Sequence, residues 1–217
     1  HVLKSLEEVA AAEIVREPLW NNRKHEHGPF DIIGDVHGCF DELVELLAKL
    51  GYEVAADVSR LTLSTAAEEG GADSRPLLRH PAGRKLVFLG DLVDRGPKVP
   101  EVLRLVMDSV KFGGALCVPG NHDVKFMRKV WGKDVQITHG LAESLAQFEA
   151  YEEHHRGFSR VAAEFIDSLV SHYVLDDGKL VVAHAGMKES MQGRGSGAVR
   201  EFALYGETTG ETDEFGL

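Results

Sequence analysis

Four short clusters in this sequence carry side chains able to hold metal ions. They are Gly34-Asp35-Val36-His37-Gly38, Gly90-Asp91-Leu92-Val93-Asp94-Arg95-Gly96, Gly120-Asn121-His122-Asp123 and Ala183-His184-Ala185-Gly186. Carboxylate and amide oxygens mixed with imidazole nitrogens suit manganese, iron or zinc, whereas an all-oxygen set would favour magnesium or calcium. In Asp35-x-His37 both side chains can point the same way from an extended loop. Asp91 offers two oxygens, so it can bridge two ions. Any one cluster alone would be a weak signal; four in order point to metal-assisted chemistry.

These clusters need rigid elements to aim them. Each follows a short apolar run that reads as a buried strand: residues 30–33, 86–89, 115–118 and 180–183. In open α/β sheets, ligands gather at the carboxyl ends of strands, and the glycines at the first three exits permit sharp turns. Helices are expected between the strands. Leu43, Val44, Leu46, Leu47 and Leu50 make one face of a helix that stops at Gly51. Pro100 suits a first helical turn, and Val102, Leu103, Val106 and Val110 give that helix its buried stripe. Further helices are predicted over 123–130, 141–153 and 158–171, the last with Phe158, Val161, Phe165, Ile166 and Leu169 on one face. Asp177-Gly178 predicts a hairpin turn joining 173–175 to 180–183. Residues 2–12 read as a short helix, 21–28 as a polar linker or surface arm, 61–63 as a strand, 65–81 as an irregular excursion, 135–138 as strand-like, and 193–197 as a mobile glycine-rich loop. Alternating strands and helices imply an α/β class.

The bulk numbers exclude several alternatives. The chain has 217 residues, enough for one domain with a substantial core. Hydrophobic residues at 43% argue for a folded rather than a disordered chain. A formal net charge of -11 is unlike a general nucleic-acid binder, although bound divalent cations would make a site locally positive. Two cysteines, Cys39 and Cys117, cannot form a disulfide framework, so a reducing cytoplasmic setting is expected. No signal peptide is expected from the residues given, and no apolar run in them is long enough to span a bilayer. The first residue is His1 rather than Met, which suggests a piece of a longer protein.

The four clusters, GDxHG, GDxxDRG, GNHD and HAG, resemble the calcineurin-like metallophosphoesterases, in the branch that includes the serine/threonine phosphoprotein phosphatases. Other segments narrow the likeness: Glu17-Pro18-Leu19-Trp20-Asn21, Thr138-His139-Gly140-Leu141 and Leu204-Tyr205-Gly206-Glu207-Thr208-Thr209-Gly210. With them the chain is most similar to the phosphatase domains of bacterial polynucleotide kinase–phosphatases, which repair RNA. That resemblance implies a four-layer α/β/β/α sandwich with two mixed sheets over residues 30–217, preceded by an N-terminal helix and linker arm over 1–29. It implies kinase and ligase-like modules in the parent chain and no membrane partner. The family carries a further Gly-His motif after HAG; none follows His184, so the domain is expected to be truncated before that ligand.

The resemblance also implies roles. Asp35, His37 and Asp91 would hold a first divalent ion, and Asp91, Asn121 and His184 a second. Manganese is the first choice, with iron, zinc or nickel as others. Arg95, with Asn121 and His122, would bind the substrate phosphate. His122 would be the general acid, oriented by Asp94; a metal-ligand role for His122 is the alternative. The reaction implied is hydrolysis by direct attack of a metal-bridging hydroxide, without a phosphoenzyme. Expected substrates are 2′,3′-cyclic phosphate, 2′-phosphate or 3′-phosphate RNA ends. A protein serine/threonine phosphatase or a dinucleoside tetraphosphate hydrolase shares the same motifs, and a non-catalytic scaffold is the alternative of another class. Of the remaining polar residues, His139 reads as a site-edge contact or a structural histidine. His172 reads as packing or capping a helix end, His80, His154 and His155 as solvated, and His25 and His27 as solvated loop residues with metal binding as the alternative. Cys39 reads as a small buried residue rather than a nucleophile.

Overall fold

The computed structural model describes residues 5, 7–8, 19–54 and 78–207. The helix expected over 2–12, apart from three of its residues, the strand over 61–63 and most of the excursion lie outside the described residues. In chain order the strands are β1 (Phe30–Ile33), β2 (Glu53–Val54), β3 (Leu78–Arg79), β4 (Lys85–Phe88), β5 (Leu116–Cys117), β6 (His172–Leu175) and β7 (Leu180–Ala183). The helices are α1 (Phe40–Lys49), α2 (Val99–Phe112), α3 (Asn121–Val130), α4 (Leu141–Glu152), α5 (Phe158–Ser168) and α6 (Gly197–Tyr205).

The predicted α/β class is what folds. β1, β4 and β5 form a parallel sheet in the order β1-β4-β5, with Ile33 opposite Phe88 and Phe88 opposite Cys117. Their carboxyl ends therefore lie side by side, which gathers the first three clusters at one edge. β6 and β7 pair antiparallel through a turn at Asp176–Gly178, and His184 leaves the end of β7. Alternation along β4 covers both faces of the parallel sheet. Leu86 and Phe88 pack with the helices, while Val87 packs with Tyr173, Leu175 and Val182 of the other sheet. Phe88, Phe126 and Phe158 are fully buried on the helical side; burying each such side chain is worth roughly 1.5–3 kcal/mol. No helix among the described residues is long and apolar enough to cross a membrane.

Several expectations are corrected. The parallel sheet is not mixed among the described residues; mixed pairing is confined to the second, where Asn22 bridges Val174 in parallel. Residues 21–26 run along β6 instead of standing off as an arm. Arg23 donates to the Val174 carbonyl at 2.9 Å, and Val174 returns a bond to the Asn21 carbonyl at 2.9 Å. Leu46 is exposed, because Leu43 and Leu47 define the buried stripe and Leu46 lies to its side. α5 ends at Ser168, since Leu169 is already extended at ψ 136°. Residues 135–138 form no strand, and Ile137 there is exposed. The 193–197 segment is held: Gly193 donates to His172 Nε2 at 2.9 Å, Asn21 Nδ2 donates to the Arg194 carbonyl at 3.3 Å, and Gly197 opens α6. His172 accordingly lies fully buried within β6, not at a helix end. His80 and His155 are half-buried rather than solvated: His80 packs on Tyr52 and bonds the Leu50 carbonyl, and His155 stacks on Tyr151. Cys39 is half-exposed, just before α1.

Candidate metal centre and active site

Left-handed backbone concentrates where the clusters meet. His37, Asp91, Asp94 and Arg95 have φ of 46°, 48°, 72° and 65°. Such conformations in non-glycine residues cost of order 1–3 kcal/mol each and persist only where neighbours enforce them. Here the loops enforce one another. His37 N–H donates to the Asp91 carbonyl at 2.8 Å, Gly38 N–H to Leu92 at 2.9 Å, and Gly96 N–H to His37 at 2.8 Å. A Cβ on Gly96 would fall 2.2 Å from the His37 carbonyl oxygen, so only glycine lets the two loops touch.

Asp91 is the hub. Its Oδ1 accepts the His122 N–H at 3.0 Å, placing the carboxylate at the N-terminus of α3, where an anion is favoured. Its Oδ2 lies 3.7 Å from His37 Nε2 and 3.6 Å from His184 Nε2. Each imidazole is aimed by its other nitrogen: His37 Nδ1 donates to the Val93 carbonyl at 2.7 Å, and His184 Nδ1 to the Leu89 carbonyl at 2.8 Å. A carbonyl partner fixes the tautomer with Nδ1 protonated and leaves Nε2 as a lone pair, the form that binds a cation. Asn121 Oδ1 lies 3.0 Å from His184 Nε2.

Two groups could each hold an ion: Asp35, Asp91 and His184 in one, and His37, Asp91 and His122 in the other. Asp91 is common to both, as a bridging carboxylate must be. Asp35 Oδ1 lies 3.9 Å from His184 Nδ1, so the two expected ligand sets adjoin. The residues fit a metal on a further ground. His37 Nε2 is buried and has no hydrogen-bond partner among the described residues. Burying a polar nitrogen without a partner is unfavourable, and a cation beside Asp91 would satisfy it. A third, exposed trio lies away from the clusters, where His27 Nδ1 sits 2.9 Å from Asp176 Oδ1 near Asp177.

Beside this centre is a buried dyad. His122 Nδ1 donates to Asp94 Oδ2 at 2.7 Å, and Asp94 is fully buried. The Asp94 carboxylate raises the His122 pKa, with Asp91 adding to it and burial opposing it. The His37 and His122 rings meet edge-on at 4.8 Å, so the dyad adjoins the candidate metal ligands directly. Arg95 is exposed, one residue past Asp94. His139 is exposed at the site edge with φ 60°, its ring 6.3 Å from that of His122.

Sequence reasoning left three supporting residues without a role. Asp123 accepts backbone N–H bonds from Gly120 at 2.9 Å, Leu92 at 2.9 Å and Val93 at 3.3 Å, tying two of the loops together. Burial and the Asp91 carboxylate push its pKa up to about 7 against those three donors. From α4, Ser144 bonds Asp94, and Gln147 accepts the Val99 N–H at 2.8 Å while donating to the Gly96 carbonyl at 2.9 Å. A signal for Ser144 was present: with buried Leu141 and Phe148 it shares one helical face, where a hydroxyl is out of place unless bonded.

The calcineurin-like phosphoesterase family model matches residues 28–207. The chain is 40% identical over 185 residues to a bis(5′-nucleosyl)-tetraphosphatase PrpE [asymmetrical] of Anoxybacillus flavithermus, covering 84% of this chain and 67% of that protein. It is 43% identical over 190 residues to the protein of the same name from Halalkalibacterium halodurans, covering 86% and 69%. Among solved structures, the cold-active protein-tyrosine phosphatase of a psychrophilic Shewanella aligns with a TM-score of 0.50 at 17% identity, over 89% of this chain and 53% of that one. That likeness speaks for the fold alone.

Proposed function

The chain belongs to the calcineurin-like phosphoesterase family and is a phosphoester hydrolase, and from that premise we propose that it cleaves a phosphorus–oxygen bond in a dinucleoside polyphosphate, the substrate class named for its PrpE relatives. The observation that carries the metal-dependent chemistry is His37 Nε2, buried, without a hydrogen-bond partner among the described residues and 3.7 Å from Asp91 Oδ2. Asp35, His37, Asp91, Asn121 and His184 would hold two divalent cations, manganese by the donor set, with Asp91 shared. When bound, such cations polarise phosphoryl oxygens and acidify a water to a pKa of roughly 7.

The chain's own groups supply the rest. Arg95 offers a planar fork that matches two phosphate oxygens at once. His122, its Nδ1 committed to Asp94, has Nε2 for the leaving oxygen. As the phosphorus–oxygen bond breaks, its electron pair stays on the leaving group, and the Nε2 proton passes to it. Water supplies the new bond to phosphorus. General-acid help of this kind typically contributes about 10²–10⁴-fold. The acidic balance of -11 fits a small nucleotide drawn into a locally cationic centre better than a long nucleic-acid tract.

RNA 2′,3′-cyclic phosphate, 2′-phosphate or 3′-phosphate ends are the second reading. It is favoured by the segments outside the shared motifs, Glu17 to Asn21 and Leu204 to Gly210, that resemble the polynucleotide kinase–phosphatases. A substrate panel with manganese separates the readings. Turnover of diadenosine tetraphosphate well above that of RNA ends or a phosphopeptide supports the first. Preferred turnover of the RNA ends replaces it with the second. Preferred turnover of the phosphopeptide sinks both. Loss of all activity in Asp91→Ala ties the turnover to this centre.

A further inference from the structure

Asp94 orients His122, and something must orient Asp94. Its carboxylate has two oxygens. Oδ2 accepts the His122 imidazole, and Oδ1 accepts the Ser144 hydroxyl at 2.7 Å. The same hydroxyl oxygen accepts the Asp94 backbone N–H at 3.0 Å. Ser144 therefore grips Asp94 at both the side chain and the main chain. The grip comes from a different element: Ser144 lies in the first turns of α4, is fully buried, and follows Gly140 by one helical turn. The segment leading into α4 presses on the same loop, since a Cβ on Gly140 would stand 2.6 Å from the Arg95 nitrogen. Asp94 and Arg95 both hold left-handed backbone with φ of 72° and 65°, which a loop adopts only when neighbours fix it.

We propose that Ser144 is a positioning residue for the general acid: by holding both ends of Asp94 it fixes the imidazole of His122, so that Nε2 meets the leaving oxygen as the phosphorus–oxygen bond breaks. This rests on the reading of His122 as the acid. Ser144 touches neither substrate nor metal ligands; it acts through Asp94. A proton donor must be held to about 0.5 Å for full effect, and a buried hydroxyl bonded to the carboxylate that carries it supplies that constraint.

The test uses leaving-group dependence, which a merely structural role would not move. Hydrolysis of p-nitrophenyl phosphate expels a stable anion that needs little protonation; hydrolysis of phenyl phosphate expels a poorer one. With manganese-loaded enzyme, kcat/KM is measured on both substrates for the wild type, Ser144→Ala, His122→Ala and the double variant. Ser144→Ala should lose roughly 10- to 100-fold on phenyl phosphate, the equivalent of one hydrogen bond to a charged group. Its loss on p-nitrophenyl phosphate should stay within about threefold. In the His122→Ala background the serine change should cost nothing further, because its target is gone. Ser144→Thr and Ser144→Val fill nearly the same space and differ by the hydroxyl, so activity retained by Thr and lost by Val supports the proposal even if Ala destabilises the fold. Equal losses on both substrates, an undiminished serine effect in the His122→Ala background, or equal activity of the Thr and Val variants would overturn it. If His122→Ala itself shows no leaving-group dependence, the general-acid reading fails first and takes this proposal with it.

Discussion

Gly120→Ala tests the site at its tightest point. Gly120 has φ -93° and ψ 170°, ordinary extended backbone that any residue can adopt, so alanine carries no conformational penalty there. The obstacle is steric. A Cβ at this position would stand 2.0 Å from Asp91 Oδ1 and 2.2 Å from the Asp91 nitrogen, where ordinary contact begins at 3.4 Å. Clearing the first contact moves the Asp91 carboxylate by about 1.4 Å, and clearing the second shifts the Asp91 main chain by about 1.2 Å, so the loops that follow the paired strands β4 and β5 are pushed apart at the centre. Asp91 is the one carboxylate shared by both candidate metal groups. Misplacement of reacting groups by about 1 Å can cost on the order of 10²-fold. We therefore expect kcat/KM on p-nitrophenyl phosphate to fall by at least about 100-fold, with weakened manganese binding by calorimetry. Far-ultraviolet circular dichroism and a thermal melt establish that the variant is folded. A folded variant with wild-type activity and manganese affinity would refute the placement of Asp91 at the centre.

Manganese should stabilise the folded chain. At 100 times its dissociation constant the gain is about 2.7 kcal/mol per site, visible as a raised melting temperature that a chelator reverses and Asp91→Ala abolishes. Acid should weaken that binding, since His37 and His184 must present unprotonated Nε2; calorimetric titration at two pH values checks it. A separate acid dependence comes from Asp31, on the strand β1. Arg84 above all, with the Tyr52 hydroxyl, holds its carboxyl below the ordinary 3.8 despite burial. A depressed folded pKa means that this stabilisation is complete above the unfolded value near 3.9. It is lost as pH falls through the folded one. Urea midpoints should show Asp31→Asn less stable by roughly 1–3 kcal/mol at pH 7, with the gap shrinking as pH drops below 4. Phe126 is fully buried and stacks on Phe148 with centroids 4.6 Å apart; Phe126→Ala should cost about 3–5 kcal/mol in chemical denaturation.

The sequence by itself determined the candidate metal ligands, the strand ends that carry them and the chemistry class. That information is local: an apolar run, a glycine exit and a metal-capable side chain lie within a few residues of one another. Asp35, His37, Asp91, Asn121 and His184 could all be read this way, and so could the helical stripes of α2 and α5. Boundaries were less legible. α3 begins two residues early, at Asn121, because Asp123 accepts the Gly120 N–H and closes the first turn around the motif. The arm over 21–26 read as a linker because its partner, β6, lies some 150 residues away in the chain. Only the tertiary structure decided that Asp35 lies 3.9 Å from His184, that Ser144 and Gln147 of α4 brace the Asp94 loop, and that His37 Nε2 is buried with no hydrogen-bond partner among the described residues. Each depends on long-range packing that sets which side chains share a small volume. Side-chain type names a possible ligand; the fold determines its neighbours and so its role.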